Sequence, residues 1–357
     1  MSTLSSEPKI ISMARSLGIH EGDSVEGIKD FCRHKIRTLV SGLKKVTSIE
    51  ELERVVCEKL NITIVEIWSD GDLAEVIDKY ARQEKEPAFG ALKKDLDNET
   101  FATLLQRKLR AGEKSFRYVA VIDCRGQKAA RRFFTRWHEI AHVLTTNRQL
   151  EFPFHRSTVK KDPIERMMDI IAGDIGFFEP LFEPIVRKEC AREGGLTFEV
   201  VTRVRSTFCP TASLEATLNA CAGHAGVGVI VLQAGLGYKS SEEREMISGQ
   251  LGFFPEEAPT PQLRVLSAVP NEIARTEKIV IPKRMRIPQA SIIAAVFNGD
   301  DESHFPTSME NLNWWRSSDG KALRHYPVRV EATKMHGRVW VIVSLGKSAL
   351  PKRLGRN

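Results

Sequence analysis

The chain has 357 residues, with 53 Lys and Arg against 46 Asp and Glu, a net charge of +7, and 42% hydrophobic residues. This length implies two or three domains, and the composition excludes disordered, collagenous and disulfide-scaffold proteins. The basic excess is too small for a general nucleic-acid coat. No run approaches the roughly 18 apolar residues of a membrane helix, and the first residues lack the apolar core of a signal peptide, so a cytoplasmic protein is expected. Six cysteines, Cys32, Cys57, Cys124, Cys190, Cys209 and Cys221, are scattered without a C-x-x-C pair. Reduced, structural thiols are expected.

In chain order, apolar spacing predicts helices over 25–45 and 49–60, then a strand from Ile62 to Trp68. Phe101 to Leu109 reads as a further helix and Tyr118 to Asp123 as a strand, placed either at a sheet edge or in its interior. Between Leu196 and Cys221 two short helical patterns flank Phe208-Cys209-Pro210, where proline breaks the first, giving a helix-turn-helix-like segment. From Gly223 onward the β-branched runs Val227–Gln233, Ser291–Phe297, Val328–Ala332 and Val339–Ser344 predict strands, divided by loops at Pro255–Pro261 and Asn298–Thr307. The expected class is α+β, with domains at 1–182, 183–222 and 223–357.

One motif dominates: Trp137-His138-Glu139-Ile140-Ala141-His142, the H-E-x-x-H arrangement. Residues i and i+4 share a helical face, so His138 and His142 can aim imidazole nitrogens at one zinc ion. Glu139 flanks that face, beside the open coordination position, where it can take a proton from a water activated by the ion. Ala130, Phe134, Trp137, Ala141 and Leu144 form an apolar stripe that would bury the helix and leave the histidines on its edge.

A catalytic site of this type needs a third ligand. The metzincin pattern would place Gly and His where Thr145 and Arg148 stand, which excludes that class. A second helix supplies a glutamate instead: Asp162 is a good N-cap, Pro163 suits the first helical position, and Ile164, Met167, Met168, Ile171 and Ile175 form a core-facing stripe. Glu165 can complete the zinc set, and Asp169, one turn on, can accept a hydrogen bond from the outer nitrogen of a liganding histidine. The plainer reading makes Glu165 a capping-box residue and Asp169 a solvated charge.

The stretches Arg131–His142 and Glu165–Pro180 resemble the ImmA/IrrE metallopeptidases, whose members look like R-R-F-T-x-x-H-E-x-x-H followed by E-x-x-A-[N/D]-x-F-A-x-x-L-L-x-P. Met168 and Ile171 depart from the usual small and aromatic residues of the second motif. The three-part order is similar to the IrrE branch: a zinc peptidase-like, zincin-like domain, a helix-turn-helix and a GAF-like sensor domain. The resemblance implies a zinc endopeptidase that cuts a partner helix-turn-helix repressor and so derepresses stress-response or mobile-element genes. The alternative is an inactive or structural-zinc regulator acting by protein or DNA binding. Thr211–Cys221 carries Glu215 and no Lys or Arg, so DNA reading through it is disfavoured.

Four residues, Tyr118, His155, His224 and Tyr238, are candidates for the oxyanion stabiliser that peptide hydrolysis needs, with no spacing to select among them. Trp314-Trp315 are candidates for a ligand pocket or for the core. Between Arg107 and Arg136 there are ten basic residues against two acidic ones. That excess is read as a solvated face or as a docking surface for substrate.

Overall fold

The computed structural model describes residues 4–42, 46–107, 117–146, 154–157, 162–248, 260–299, 305–316, 320–335 and 337–345. The chain is a mixed α+β protein that divides into two compact units. Unit 1 is Met1–Phe182 with Phe208–Ala216; unit 2 is Glu183–Thr207 with Thr217–Asn357, so the 183–222 segment is shared between them.

Unit 1 begins with helices α1 (Pro8–Ser16), α2 (Ser24–Val40) and α3 (Ile49–Leu60). Asp23 caps α2 by accepting from Val25 and Glu26 N–H, and Ser48 caps α3 from Glu51 N–H. Strand β1 (Ile62–Ile67), helices α4 (Asp70–Ile77) and α5 (Leu92–Asp95), and strands β2 (Thr100–Gln106) and β3 (Tyr118–Asp123) follow. After helix α6 (Arg132–Thr145) come β4 (Phe154–Ser157) and α7 (Pro163–Gly176). The sheet order is β1-β3-β2-β4, with β1 and β3 parallel and the other pairs antiparallel.

One expectation changes here, and one open alternative is decided. The helix read over 101–109 is strand β2. Ala102 to Leu105 are all buried, so both faces of the strand are covered and the period-two signal that marks a half-buried strand is absent. Tyr118–Asp123 is β3, which lies inside the sheet between β1 and β2; the edges are β1 and β4.

Helices α8 (Glu179–Glu193), α9 (Phe198–Phe208) and α10 (Leu214–Gly223) lead to unit 2, where β5 (Val229–Gly237), α11 (Ser240–Ser248), β6 (Gln262–Pro270), α12 (Glu272–Thr276), α13 (Ile292–Asn298), β7 (Thr307–Asn311), β8 (Pro327–Met335) and β9 (Arg338–Leu345) complete the chain. The five strands form one antiparallel sheet, ordered β6-β5-β9-β8-β7. Ile230, Leu232, Val265, Val330, Val341 and Trp315 are part of its core.

The run expected as a strand over 291–297 is helix α13. Ser291 caps it from Ile293 N–H, and the Glu310 carboxylate accepts from both Ser291 Oγ and Ile292 N–H at 2.9 Å. A partner 18 residues away thus fixes the first turn, and Ala294-Ala295 favour the helix thereafter. All six cysteines are free, and burial pushes the Cys32 and Cys57 thiols up to about 12. No helix among the described residues is long and apolar enough to cross a membrane.

Candidate metal centre

Helix α6 is interior rather than amphipathic. Ala130 is exposed and lies in the 3-10 turn before the helix, and Phe134 is only half-buried, whereas Phe133, Thr135 and every residue from Trp137 to Thr145 are buried. The expected stripe is therefore replaced by burial around most of the helix, with His138, Glu139 and His142 at 1%, 1% and 3% exposure. Its C-terminal carbonyls, which have no helical partner, are met by side chains. Lys35 of α2 donates to the Leu144 carbonyl at 2.8 Å, Thr145 to Ala141 at 2.8 Å and Thr146 to His142 at 2.6 Å.

Helix α7 starts as its sequence dictates, with Asp162 accepting from Ile164 N–H at 2.8 Å and Pro163 in the first turn. Met167, Met168, Ile171 and Ile175 are buried completely. The two helices approach closely at Gly176, where an added Cβ would stand 3.0 Å from Trp137 Cδ1. On its other side α7 is tied to α2 by a two-pronged pair, Arg33 Nε donating to Asp174 Oδ2 at 2.7 Å and Nη2 donating to Oδ1. Neither Lys35 nor Arg33 was legible as a support of the site, because each partner lies more than a hundred residues away.

This packing brings His138, His142 and Glu165 together, a group that could bind a metal ion. His138 Nε2 is 3.0 Å from Glu165 Oε2 and 3.2 Å from His142 Nε2, and His142 Nε2 is 3.3 Å from Glu165 Oε1. Donors held about 2.0–2.1 Å from a tetrahedral zinc stand about 3.3 Å apart, so the spacing fits the ion. The proton arithmetic fits as well. His138 Nδ1 lies 2.9 Å from Asp169 Oδ1, and an ionised carboxylate only accepts, so Nδ1 carries a proton and Nε2 is the ring atom that can ligate a metal. Nε2 faces the Glu165 carboxylate and the second imidazole nitrogen, where either a shared proton or a metal cation can sit among the three. Burial alone would raise the Glu165 carboxyl, but the hydrogen bonds from His138 and His142 hold it well below the usual carboxylate range.

Glu165 therefore turns to the histidines, while the Asp162 side chain does the capping. Asp169 sits on the His138 ring with its side chain half exposed. Glu139 follows His138 on the buried helix. A cavity of about 490 Å³ in unit 1, lined among others by Glu53, Cys57, Phe133, Arg136 and Cys209, does not include His138, Glu139, His142 or Glu165.

Several side chains of the basic stretch 107–136 are engaged within unit 1. Arg107 pairs with Glu84 at 2.5 Å, Arg125 and Lys128 with Asp123 at 2.8 and 2.6 Å, Arg136 with Glu53 at 2.8 Å, and Arg131 lies over the Phe101 ring. The remaining basic residues at 108, 110 and 114 lie within 108–116, outside the described residues. Among the oxyanion candidates, Tyr118 begins β3, His155 is on β4 with its side chain outside the description, and His224 and Tyr238 belong to unit 2. No protein-family model matches the chain, and neither does any curated protein.

Proposed function

We propose that the chain is a zinc-dependent endopeptidase acting on a partner transcriptional repressor, with unit 1 as a zincin-like peptidase domain of the ImmA/IrrE type. One observation carries the reading: three lone-pair donors at 3.0–3.3 Å from one another, on two packed helices, with Glu139 next in sequence to the first. A structural zinc site closes with four protein ligands and has no use for an adjacent buried carboxylate.

His138, His142 and Glu165 would hold the zinc, which when bound would supply a Lewis acid for the scissile carbonyl and for water. Glu139 takes the proton of the attacking water and returns it to the leaving amine. Asp169 fixes the tautomer and the angle of the His138 ring. An extended substrate segment adds by main-chain hydrogen bonds to an edge of the unit 1 sheet, which means β1 or β4 rather than β3. The repressor as substrate and a GAF-like character for the domain at 223–357 are what the family resemblance implies.

Metal analysis of the purified chain should give about one zinc per chain, lost on His138→Ala or Glu165→Ala. If the neighbouring gene encodes a helix-turn-helix repressor, mixing that protein with zinc and the wild type should give cleavage, and Glu139→Gln should bind zinc without cutting. A Glu139→Gln protein that cleaves at the wild-type rate removes the general base from the mechanism. Zinc binding with no proteolysis and with sequence-selective DNA binding favours the regulator instead.

A further inference from the structure

Unit 2 holds a cavity of about 490 Å³ whose lining includes Lys239, Gln262, Arg264, Arg286, Trp314 and Arg316. Its cations are arranged in register. Arg264 of β6 forms an antiparallel bridge with Arg286, and Arg286 forms one with Arg316. Directly opposed residues in such bridges stand about 4.5–5.5 Å apart and point to the same side, so three guanidinium-bearing positions lie on consecutive rungs. Like charges placed opposite one another are unfavourable unless an anion lies between them.

None of the three has an ion pair among the described residues. Arg264 is only 2% exposed; it donates to the Arg284 carbonyl at 3.0 Å and to Gln262 Oε1 at 3.1 Å, and its buried Nε has no hydrogen-bond partner. The nearby acidic groups are engaged: Glu242 accepts from the Lys239 backbone at 2.7 Å and lies 3.6 Å from its ammonium, and Glu243 pairs with Arg284. Burying the Arg264 guanidinium is costly and lowers its pKa, an effect the charge of Glu242 offsets in part and that of Arg286 reinforces.

The aromatic pair at 314–315 divides its labour. Trp315 is fully buried in the core of the sheet, while Trp314 is 47% exposed and lines the cavity, offering one indole face. We propose that this cavity binds a small phosphorylated ligand carrying a planar ring, the chemistry of a nucleotide. Guanidinium forks take phosphate oxygens in pairs, three of them match a multiply charged phosphate better than a single carboxylate, and an indole face stacks a flat ring. The volume lies within the range of small-molecule sites. The proposal concerns unit 2 alone and is independent of the metal centre.

The test is calorimetric titration of the full-length chain with adenosine 5′-monophosphate, with inorganic phosphate and adenosine as companion probes and tryptophan fluorescence recorded alongside. Adenosine 5′-monophosphate should bind saturably, phosphate should compete, adenosine should bind at least about tenfold more weakly, and added salt should weaken the interaction. Arg286→Ala and Arg316→Ala, both at exposed positions and expected to keep the wild-type melting temperature, should each weaken binding about tenfold. Trp314→Ala should weaken adenosine 5′-monophosphate without changing phosphate. Arg264→Gln should weaken both probes. No saturable binding by about 10 mM, unchanged affinity in both exposed-arginine variants, or equal affinity for adenosine and its monophosphate would overturn the proposal.

Discussion

Asp169 offers the sharpest test of how the metal centre is held, because it touches the site without belonging to the donor set. Its Oδ1 lies 2.9 Å from His138 Nδ1, while the three proposed donors are His138 Nε2, His142 Nε2 and Glu165. Replacing Asp169 by Ala leaves every donor in place and removes only the acceptor that fixes the His138 tautomer and makes its Nε2 more basic. Partners of this kind are worth about 10–100-fold in metal affinity, or about 1.4–2.7 kcal/mol. The Asp169 side chain is 51% exposed, so water screens the contact and can replace it in part. A loss of about tenfold is therefore expected, at the lower end of that range. Competition of the purified chain with a chelating zinc indicator measures it. His138→Ala should lose far more in the same assay. Equal zinc affinity in Asp169→Ala and wild type, alongside a large loss in His138→Ala, would refute the positioning role.

Other expected outcomes concern the scaffold. Gly176→Ala places a methyl 3.0 Å from the fully buried Trp137 ring, which has no room to yield, and should destabilise unit 1 by about 1–3 kcal/mol in denaturant unfolding. Lys35→Met keeps most of the buried stem but leaves the Leu144 carbonyl without its donor, and a loss of about 1 kcal/mol is expected by thermal melting. For Asp123, burial would raise the carboxyl, but Arg125 and Lys128 overcome this and hold it below the usual range. A carboxyl lowered in the folded state stabilises above its unfolded value of about 3.9, and the gain is lost as pH falls from there through the folded value. Asp123→Asn should be less stable at neutral pH and flatter across that acid window, as followed by circular dichroism.

Much of the metal centre was readable from local rules. The spacing of His138 and His142, the cap at Asp162 and the position of Glu165 each follow from one helical turn, and the structure places these side chains together. Readability failed where burial or distance decided the outcome. Strand β2 is covered on both faces and so carries no alternation, and α13 depends on Glu310 from another part of the chain. The charge of 107–136 could not be interpreted from counting, since Arg136 finds Glu53 and Arg107 finds Glu84 and Glu86 from earlier segments. The arginine rungs of unit 2 are likewise invisible in sequence, because Arg264, Arg286 and Arg316 become neighbours only through sheet-like pairing.

The convergence of three lone pairs in the interior has a consequence for how the fold and its chemistry trade against each other. Without a cation the two imidazoles and the carboxylate form a polar cluster buried between α6 and α7, whose desolvation their mutual hydrogen bonds offset only in part. A leucine in place of His142 should then raise the melting temperature of the metal-free chain while abolishing metal binding. On the proposed reading, selection for activity and selection for stability pull in opposite directions at that position, and a bound ion would reconcile them.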